Sequence, residues 1–255
     1  MASKAKYHIS VLMDMDNSSK SALRSAVELA KTLGGRVEAL YIKSPLKVVK
    51  QANQFSAKRD LYEDSRLAKS TIQDLTKTMG ENESLDISYT ISYGNVKNKL
   101  KSYLRETNPD ILVLGKPKYR ALGGVEEKLT LLIVGEKDNL LSFKDLSLGI
   151  FGDSIPDAKN EILQVLKKET TQPIRLFSIK KGRQNDTSGQ ETDNKTVSYV
   201  FSEGTNAIDG LTSYVERTKT QLFCIPKTKS VKFSFQSDET EQLLRKVNVP
   251  VLLLS

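Results

Sequence analysis

Five kinds of residue in this sequence could do chemistry: aspartates that end strands, glycines after a strand, lysines at the same end, one histidine and one cysteine. The densest concentration lies after Asp110, in Ile111-Leu-Val-Leu-Gly-Lys-Pro-Lys-Tyr-Arg-Ala-Leu-Gly-Gly124. Gly115, Gly123 and Gly124 can bring backbone amides close to a phosphate, and Lys116, Lys118 and Arg120 can neutralise one. Lys43, Lys47 and Lys50 follow another apolar run, Val37 to Ile42. Together these cations could hold an anion by charge; as ordinary lysines they would only keep the surface solvated. Asp14 and Asp16 share one face of an extended strand by its period of two. Two carboxylates there could hold a cation, given further oxygen ligands, or favour a helix N-terminus.

Catalytic groups are sparse. His8 begins a strand with no serine or cysteine motif beside it, so a Ser-His-Asp or Cys-His arrangement is not expected. Cys224 lies in an apolar strand and reads as core. No zinc-ligand spacing and no G-x4-G-K-S/T phosphate loop is present. Neither a catalytic residue nor a metal site is assigned. A single cysteine excludes an internal disulfide and fits a reducing, cytoplasmic setting. No apolar run reaches the ~18 residues that span a bilayer, and the Met-Ala-Ser-Lys-Ala-Lys start has no apolar stretch behind it. The net charge of +8 falls unevenly. Residues 1–135 carry 22 Lys and Arg against 15 Asp and Glu, whereas residues 136–255 carry 17 against 16. A polyanion or nucleic acid is therefore a candidate partner for the first half, although the interleaved aromatics such surfaces often use are absent.

These residues need strands and helices to position them, and the hydrophobic periodicity supplies both. His8 to Asp14 reads as a strand. Asn17, Ser18 and Ser19 offer N-cap chemistry for a helix carrying Ala22, Leu23, Ala26, Val27, Ala30 and Leu33, which Gly34-Gly35 closes. Val37 to Ile42 is a second strand. Leu61, Ala68, Ile72, Leu75 and Met79 mark a long amphipathic helix that Gly80 is expected to end. Leu85 to Ser92 is a third strand, Val96, Leu100 and Leu104 a third helix, Ile111 to Leu114 a fourth strand, and Leu131 to Val134 a fifth. Such alternation implies a parallel sheet with helices on both faces.

The pattern then recurs. Leu146 to Asp153 repeats the first strand, Ser154 and Pro156 open a helix carrying Ile162, Val165 and Leu166, and Pro173 to Ile179 repeats the second strand. Thr196 to Ser202 repeats the third, and Leu222-Phe-Cys-Ile-Pro-Lys227 matches Ile111-Leu-Val-Leu-Gly-Lys116. The offset between copies falls from 137 at Asp16 and Asp153 to 110 at Gly94 and Gly204, so about 27 residues are missing from the second copy. They coincide with the long helix. In its place stands Lys180 to Lys195, without one large apolar residue, which reads as a mobile loop. The expected organisation is a basic first domain over 1–135, a linker over 136–145 and a degenerate second domain over 146–255.

With these segments in hand, the chain resembles the universal stress protein family, as a tandem of two such domains. The likeness rests on Val11 to Ile42, on Gly94 with Pro109-Asp-Ile-Leu-Val-Leu-Gly115, and on Thr240-Glu-Gln-Leu-Leu-Arg-Lys-Val-Asn-Val-Pro-Val-Leu-Leu-Leu254. The resemblance implies two doubly wound, five-stranded parallel α/β sheets of strand order 3-2-1-4-5, adenine nucleotide alpha hydrolase-like, the second lacking its second helix. The ligand crevice of such a sheet opens between strands 1 and 4. The resemblance also implies pairing through the fifth strands, either as an intramolecular pseudo-dimer or in a homodimer. Nucleotide-binding members place a G-x2-G-x9-G-S/T motif after strand 4 and an aspartate at the end of strand 1. The aspartate corresponds to Asp16 and Asp153. In the first copy Gly115 fits the motif, but Lys118, Lys128 and Leu129 stand at its other positions, and Gly123-Gly124 offer glycines only in a shifted register. In the second copy Pro226, Lys229 and Glu239 replace the glycines and only Thr240 matches. The reading that follows is a non-enzymatic stress-response or regulatory binding module with lost or weak nucleotide binding and no expected cofactor. Its rivals are an ATP- or AMP-binding member with slow hydrolysis or autophosphorylation, and an anion-binding first domain.

Overall fold

The computed structural model describes residues 5–14, 17–43, 54–123, 129–135, 142–156, 160–180, 190–193, 195–227 and 236–255. The chain divides into two compact units, Met1–Glu126 and Glu127–Ser255.

In the first unit, β1 (Tyr7–Met13) is buried at all seven positions, its polar His8 and Ser10 included, as in a strand covered on both faces. α1 (Asn17–Leu33) follows, with Gly34 at φ 71° ending it before β2 (Gly35–Lys43). α2 (Gln54–Glu83) leads to β3 (Ile87–Tyr93). α3 (Val96–Thr107) is capped by Asn95, whose side chain accepts from the Asn98 amide, and by left-handed Asn108. β4 (Ile111–Gly115) is fully buried and runs directly into α4 (Lys116–Leu122). β5 (Thr130–Val134) groups with the second unit.

The first copy's strands lie in the order β3-β2-β1-β4-β5, the 3-2-1-4-5 arrangement. β1 pairs in parallel with β2 and with β4, and β2 with β3. The second unit holds β6 (Leu148–Phe151), α5 (Glu161–Lys168), β7 (Ile174–Lys180), β8 (Gln190–Asp193), β9 (Thr196–Ser202), α6 (Ala207–Arg217), β10 (Leu222–Pro226), α7 (Gln236–Lys246) and β11 (Val251–Leu254). Its parallel strands repeat the order as β9-β7-β6-β10-β11, without a counterpart of α2 among the described residues. β5 adds antiparallel to β11.

Four expectations need correction. α2 runs past Gly80 to Glu83 and stops at Ser84, left-handed at φ 53°, with the Leu85 amide donating back to the Gly80 carbonyl at 3.1 Å. Such a 6→1 bond closes a helix end three residues beyond its acceptor. The segment after β4, to which the periodicity assigns no element before Leu131, forms a helix. α5 starts at Glu161, where Asn160 accepts from the Leu163 amide, instead of at Ser154 or Pro156. Within Lys180 to Lys195, Gln190–Asp193 forms β8, antiparallel to β9. A strand at a sheet edge is held by main-chain bonds, so the lack of apolar residues does not forbid it. The remainder of that segment, 181–189 and 194, lies outside the described residues.

The sheet also fixes how the two copies correspond. The His8 amide donates to Asp110 Oδ2 at 2.7 Å, and the Asp110 amide to the His8 carbonyl at 2.9 Å. The Ser147 amide donates to Gln221 Oε1 at 3.0 Å, and the Gln221 amide to the Ser147 carbonyl at 2.9 Å. These matching pairs equate His8 with Ser147, and six residues further on they equate Asp14 with Asp153. The strand-1 aspartate of the second copy therefore corresponds to Asp14, not Asp16. By the same reasoning Gly94 corresponds to Glu203, one residue before Gly204, because Gly94 donates to the Lys43 carbonyl as Glu203 does to that of Lys180.

Candidate functional site

The crevice end of the first unit is built where β1 and β4 finish. A side chain at Gly115 would place its Cβ 2.8 Å from the Cβ of Ser18 and closer still to its hydroxyl oxygen. Ser18, in the first turn of α1, is buried. The glycine thus lets α1 seat against the end of β4. Gly115 is also the N-cap of α4, in an extended conformation and without a side chain to cap it. Pro117 suits this first turn because its missing N–H has no intrahelical partner to lose there. Gly123, at φ 67°, closes α4 with its amide donating to the Arg120 carbonyl.

α4 brings Lys118 back to β1, where its ammonium pairs with Asp14 Oδ2. The other carboxylate oxygen accepts from Ser19 Oγ at 2.6 Å, and Ser19 Oγ accepts in turn from the Asp14 amide at 3.0 Å. Both oxygens of the aspartate are thus engaged, one by a cation on α4 and one by a hydroxyl on α1. Neither Lys43, Lys116 nor Arg120 is free of interactions within the protein. Asp16, Lys47, Lys50, Gly124 and Lys128 lie outside the described residues.

In the second unit Asp153 follows Gly152, which is at φ 141°, and faces Lys180 Nζ at 3.5 Å with both side chains well exposed. Lys227, just past β10, donates from Nζ to the Leu129 carbonyl at 2.8 Å, and burial holds its ammonium below the usual lysine range. Its amide donates to the Leu254 carbonyl at 2.8 Å. Thr240 is half-buried in the second turn of α7, with Glu239 beside it. Lys229 lies outside the described residues.

A second polar cluster, which sequence reasoning missed, lies toward the N-terminal ends of β1 and β2. His8 Nε2 lies 3.0 Å from Glu38 Oε2, Thr90 Oγ1 donates to Glu38 Oε1 at 2.7 Å, and Arg36 reaches His8 Nδ1 at 3.3 Å. Beside them Ser10 Oγ and Tyr103 OH are 2.8 Å apart, and burial pushes the phenol up to about 12. Such side chains carry no motif. The only signal was polar residues at His8, Ser10 and Glu38 within strands otherwise apolar. Cys224 is buried in β10, where desolvation pushes its thiol up to about 12. Among the described residues no three His, Cys, Asp or Glu side chains gather as metal ligands, and no helix is long and apolar enough to cross a membrane.

Residues 7–131 match the Universal stress protein family. No curated protein matches the chain. Among solved structures, a universal stress protein from Archaeoglobus fulgidus aligns with a TM-score of 0.68 at 13% identity, covering 98% of this chain and 96% of that one. A functionally unknown protein from Pseudomonas aeruginosa aligns with a TM-score of 0.58 at 10% identity, covering 97% and 92%. At these identities the two structures speak to fold alone, and that fold spans both copies. The first copy, over residues 7–131, is thus a domain of the universal stress protein family.

Proposed function

We propose that this chain is a non-enzymatic binding module of stress response or regulation in which the first copy has given up the nucleotide cradle. The observation that carries this reading is the Lys118–Asp14 pair. Lys118 stands where the nucleotide-binding motif has its second glycine. A glycine there leaves room for phosphate and exposes backbone N–H groups, whereas Lys118 brings a cation that the protein's own carboxylate neutralises. Gly115 is retained, but its bare backbone admits Ser18. In the second copy the Asp153–Lys180 contact is looser, and the glycine positions carry Pro226, Lys229 and Glu239. The antiparallel ladder between β5 and β11 supports pairing of the fifth strands within the chain.

Native mass spectrometry of the purified protein, followed by calorimetric titration with ATP and with AMP, tests the reading. No co-purified nucleotide and no heat of binding is the expected result. Stoichiometric ATP or AMP would replace the proposal with the nucleotide-binding rival, and salt-sensitive binding of heparin or short nucleic acid would replace it with the anion-binding one.

A further inference from the structure

β3 is the terminal strand of the first unit's order, and among the described residues nothing pairs with its outer side. The equivalent strand of the second copy, β9, carries β8 on that side. The same edge is thus covered in one copy and open in the other. Open edges are usually blunted by lysine, proline, a bulge or an inward charge. β3 reads Ile-Ser-Tyr-Thr-Ile-Ser-Tyr over Ile87–Tyr93, with none of these and no charged residue at all.

The direction of its amides can be assigned. Gly94 donates to the Lys43 carbonyl at 2.9 Å, and β2 and β3 pair with Lys43 opposite Tyr93. In a parallel ladder alternate residues bond to the same neighbour, so the even-numbered residues of β3 face β2. The odd-numbered ones, Ile87, Tyr89, Ile91 and Tyr93, turn their amides and carbonyls outward.

We infer that this edge pairs with β3 of a second copy of the chain, antiparallel, about a two-fold axis at Thr90. That register sets Tyr89 opposite Ile91, Ile87 opposite Tyr93, Ser88 opposite Ser92 and Thr90 opposite itself. Every odd residue meets an odd residue, so each of those pairs exchanges two main-chain hydrogen bonds, and the even residues form the intervening non-bonded pairs. Aromatic–β-branched and hydroxyl–hydroxyl pairs of this kind are favourable across an antiparallel ladder, and no like charges meet. A heterologous peptide would need no such symmetry in the sequence.

The strand supplies about 23 Å of ladder at ~3.3 Å per residue, less surface than the ~800 Å² per partner of a stable dimer. α2 flanks the same edge and provides the rest. The exposed large hydrophobics among the described residues are Tyr62 at 73%, Leu67 at 65% and Tyr93 at 43%, all on α2 or β3. Tyr93 OH is 2.5 Å from Ser65 Oγ, which ties the end of the strand to that helix.

Sedimentation velocity of the full chain over a range of concentrations, together with disulfide trapping, tests the inference. Thr90→Cys sets two thiols against each other across the axis at a non-bonded pair, where Cα atoms are ~4.5 Å apart. The native Cys224 is buried and does not compete. The expected result is a concentration-dependent dimer that Thr90→Cys traps covalently under mild oxidation, while Asn98→Cys, on the exposed side of α3, does not. Tyr89→Pro removes an outward amide without touching the bonds to β2, and should yield a monomer with unchanged circular dichroism. Tyr62→Ser with Leu67→Ser should weaken the dimer and leave the fold intact. A chain that stays monomeric at its highest soluble concentration overturns the inference. So does a dimer that Tyr89→Pro leaves intact and Thr90→Cys fails to trap.

Discussion

Gly115 and Ser18 touch backbone to side chain, at a separation that leaves no room for a methyl group. The contact joins the end of β4 to the first turn of α1. It gives Gly115 a packing role where the sequence suggested a phosphate-binding one. Gly115→Ala should therefore cost about 1–3 kcal/mol through overpacking, read as a lowered urea midpoint with an unchanged m-value. Ser18→Gly in the same chain removes both clashing atoms and should recover part of the loss. The double-mutant cycle should give a coupling of roughly 0.5–3 kcal/mol, whereas additive losses would mean the two residues do not constrain each other.

Gly123 is held by a different demand. Among the described residues nothing lies within 4 Å of where its Cβ would stand, but its φ of 67° is left-handed. Gly123→Ala should cost about 1–2 kcal/mol from backbone conformation alone, with no rescue from any neighbouring truncation. Gly123→Asn should cost less, since asparagine tolerates that region. Thermal denaturation of the two variants side by side checks the ranking.

The strands were legible because a parallel sheet covered on both faces demands continuous apolar runs, as in Ile111 to Leu114 and Leu131 to Val134. The duplication followed from the repeated alternation, and the strand order from the resemblance to the universal stress protein family. The short helix α4 was not legible: Gly115 and Gly123 read as glycines for a phosphate, whereas they and Pro117 sit at helix ends where each is favoured. β8 escaped because its bonds are made by the main chain, which leaves no side-chain pattern in Gln190–Asp193. Asp16 was matched to Asp153 because each follows the first strand of its copy, as the family's strand-1 aspartate does. Only the amide pairs at His8 with Asp110 and at Ser147 with Gln221 show that Asp14 is its counterpart. At the site, the sequence placed Asp14 and Lys118 at the ends of β1 and β4. That they meet depends on α4 turning Lys118 inward, which no local pattern encodes.

The Asp14 carboxylate separates two kinds of contact. Lys118 and Asp14 are 21% and 28% exposed, so their attraction is partly screened. Lys118→Met should cost no more than about 1 kcal/mol, and the penalty should shrink in molar salt. Ser19 is buried and bonds both the carboxylate and the amide of Asp14. Ser19→Ala leaves those groups short of a partner and should cost roughly 1–3 kcal/mol, with little dependence on salt. Denaturant titrations of both variants at low and high ionic strength distinguish the two; equal salt sensitivity would contradict this division.

Two buried acids should make the fold sensitive to alkali. Cys224 and Tyr103 are pushed up to about 12, from ordinary values of 9.0 and 10.0, mainly by burial. For each, the folded state keeps a proton that the unfolded chain has released, so stability is full below the unfolded value and declines as pH rises toward 12. The Cys224 contribution begins to fall near pH 9 and that of Tyr103 near pH 10. Each group acting alone gives a slope of about 1.4 kcal/mol per pH unit. Urea unfolding at pH 8, 9, 10 and 11 should show this decline. Cys224→Ala should flatten the curve from pH 9 and Tyr103→Phe from pH 10, whatever each substitution costs at neutral pH. The comparison of slopes isolates proton linkage from lost packing, because a packing loss displaces the whole curve without changing its pH dependence. A variant whose curve runs parallel to wild type through pH 11 would show that its phenol or thiol titrates alike in the folded and unfolded chain.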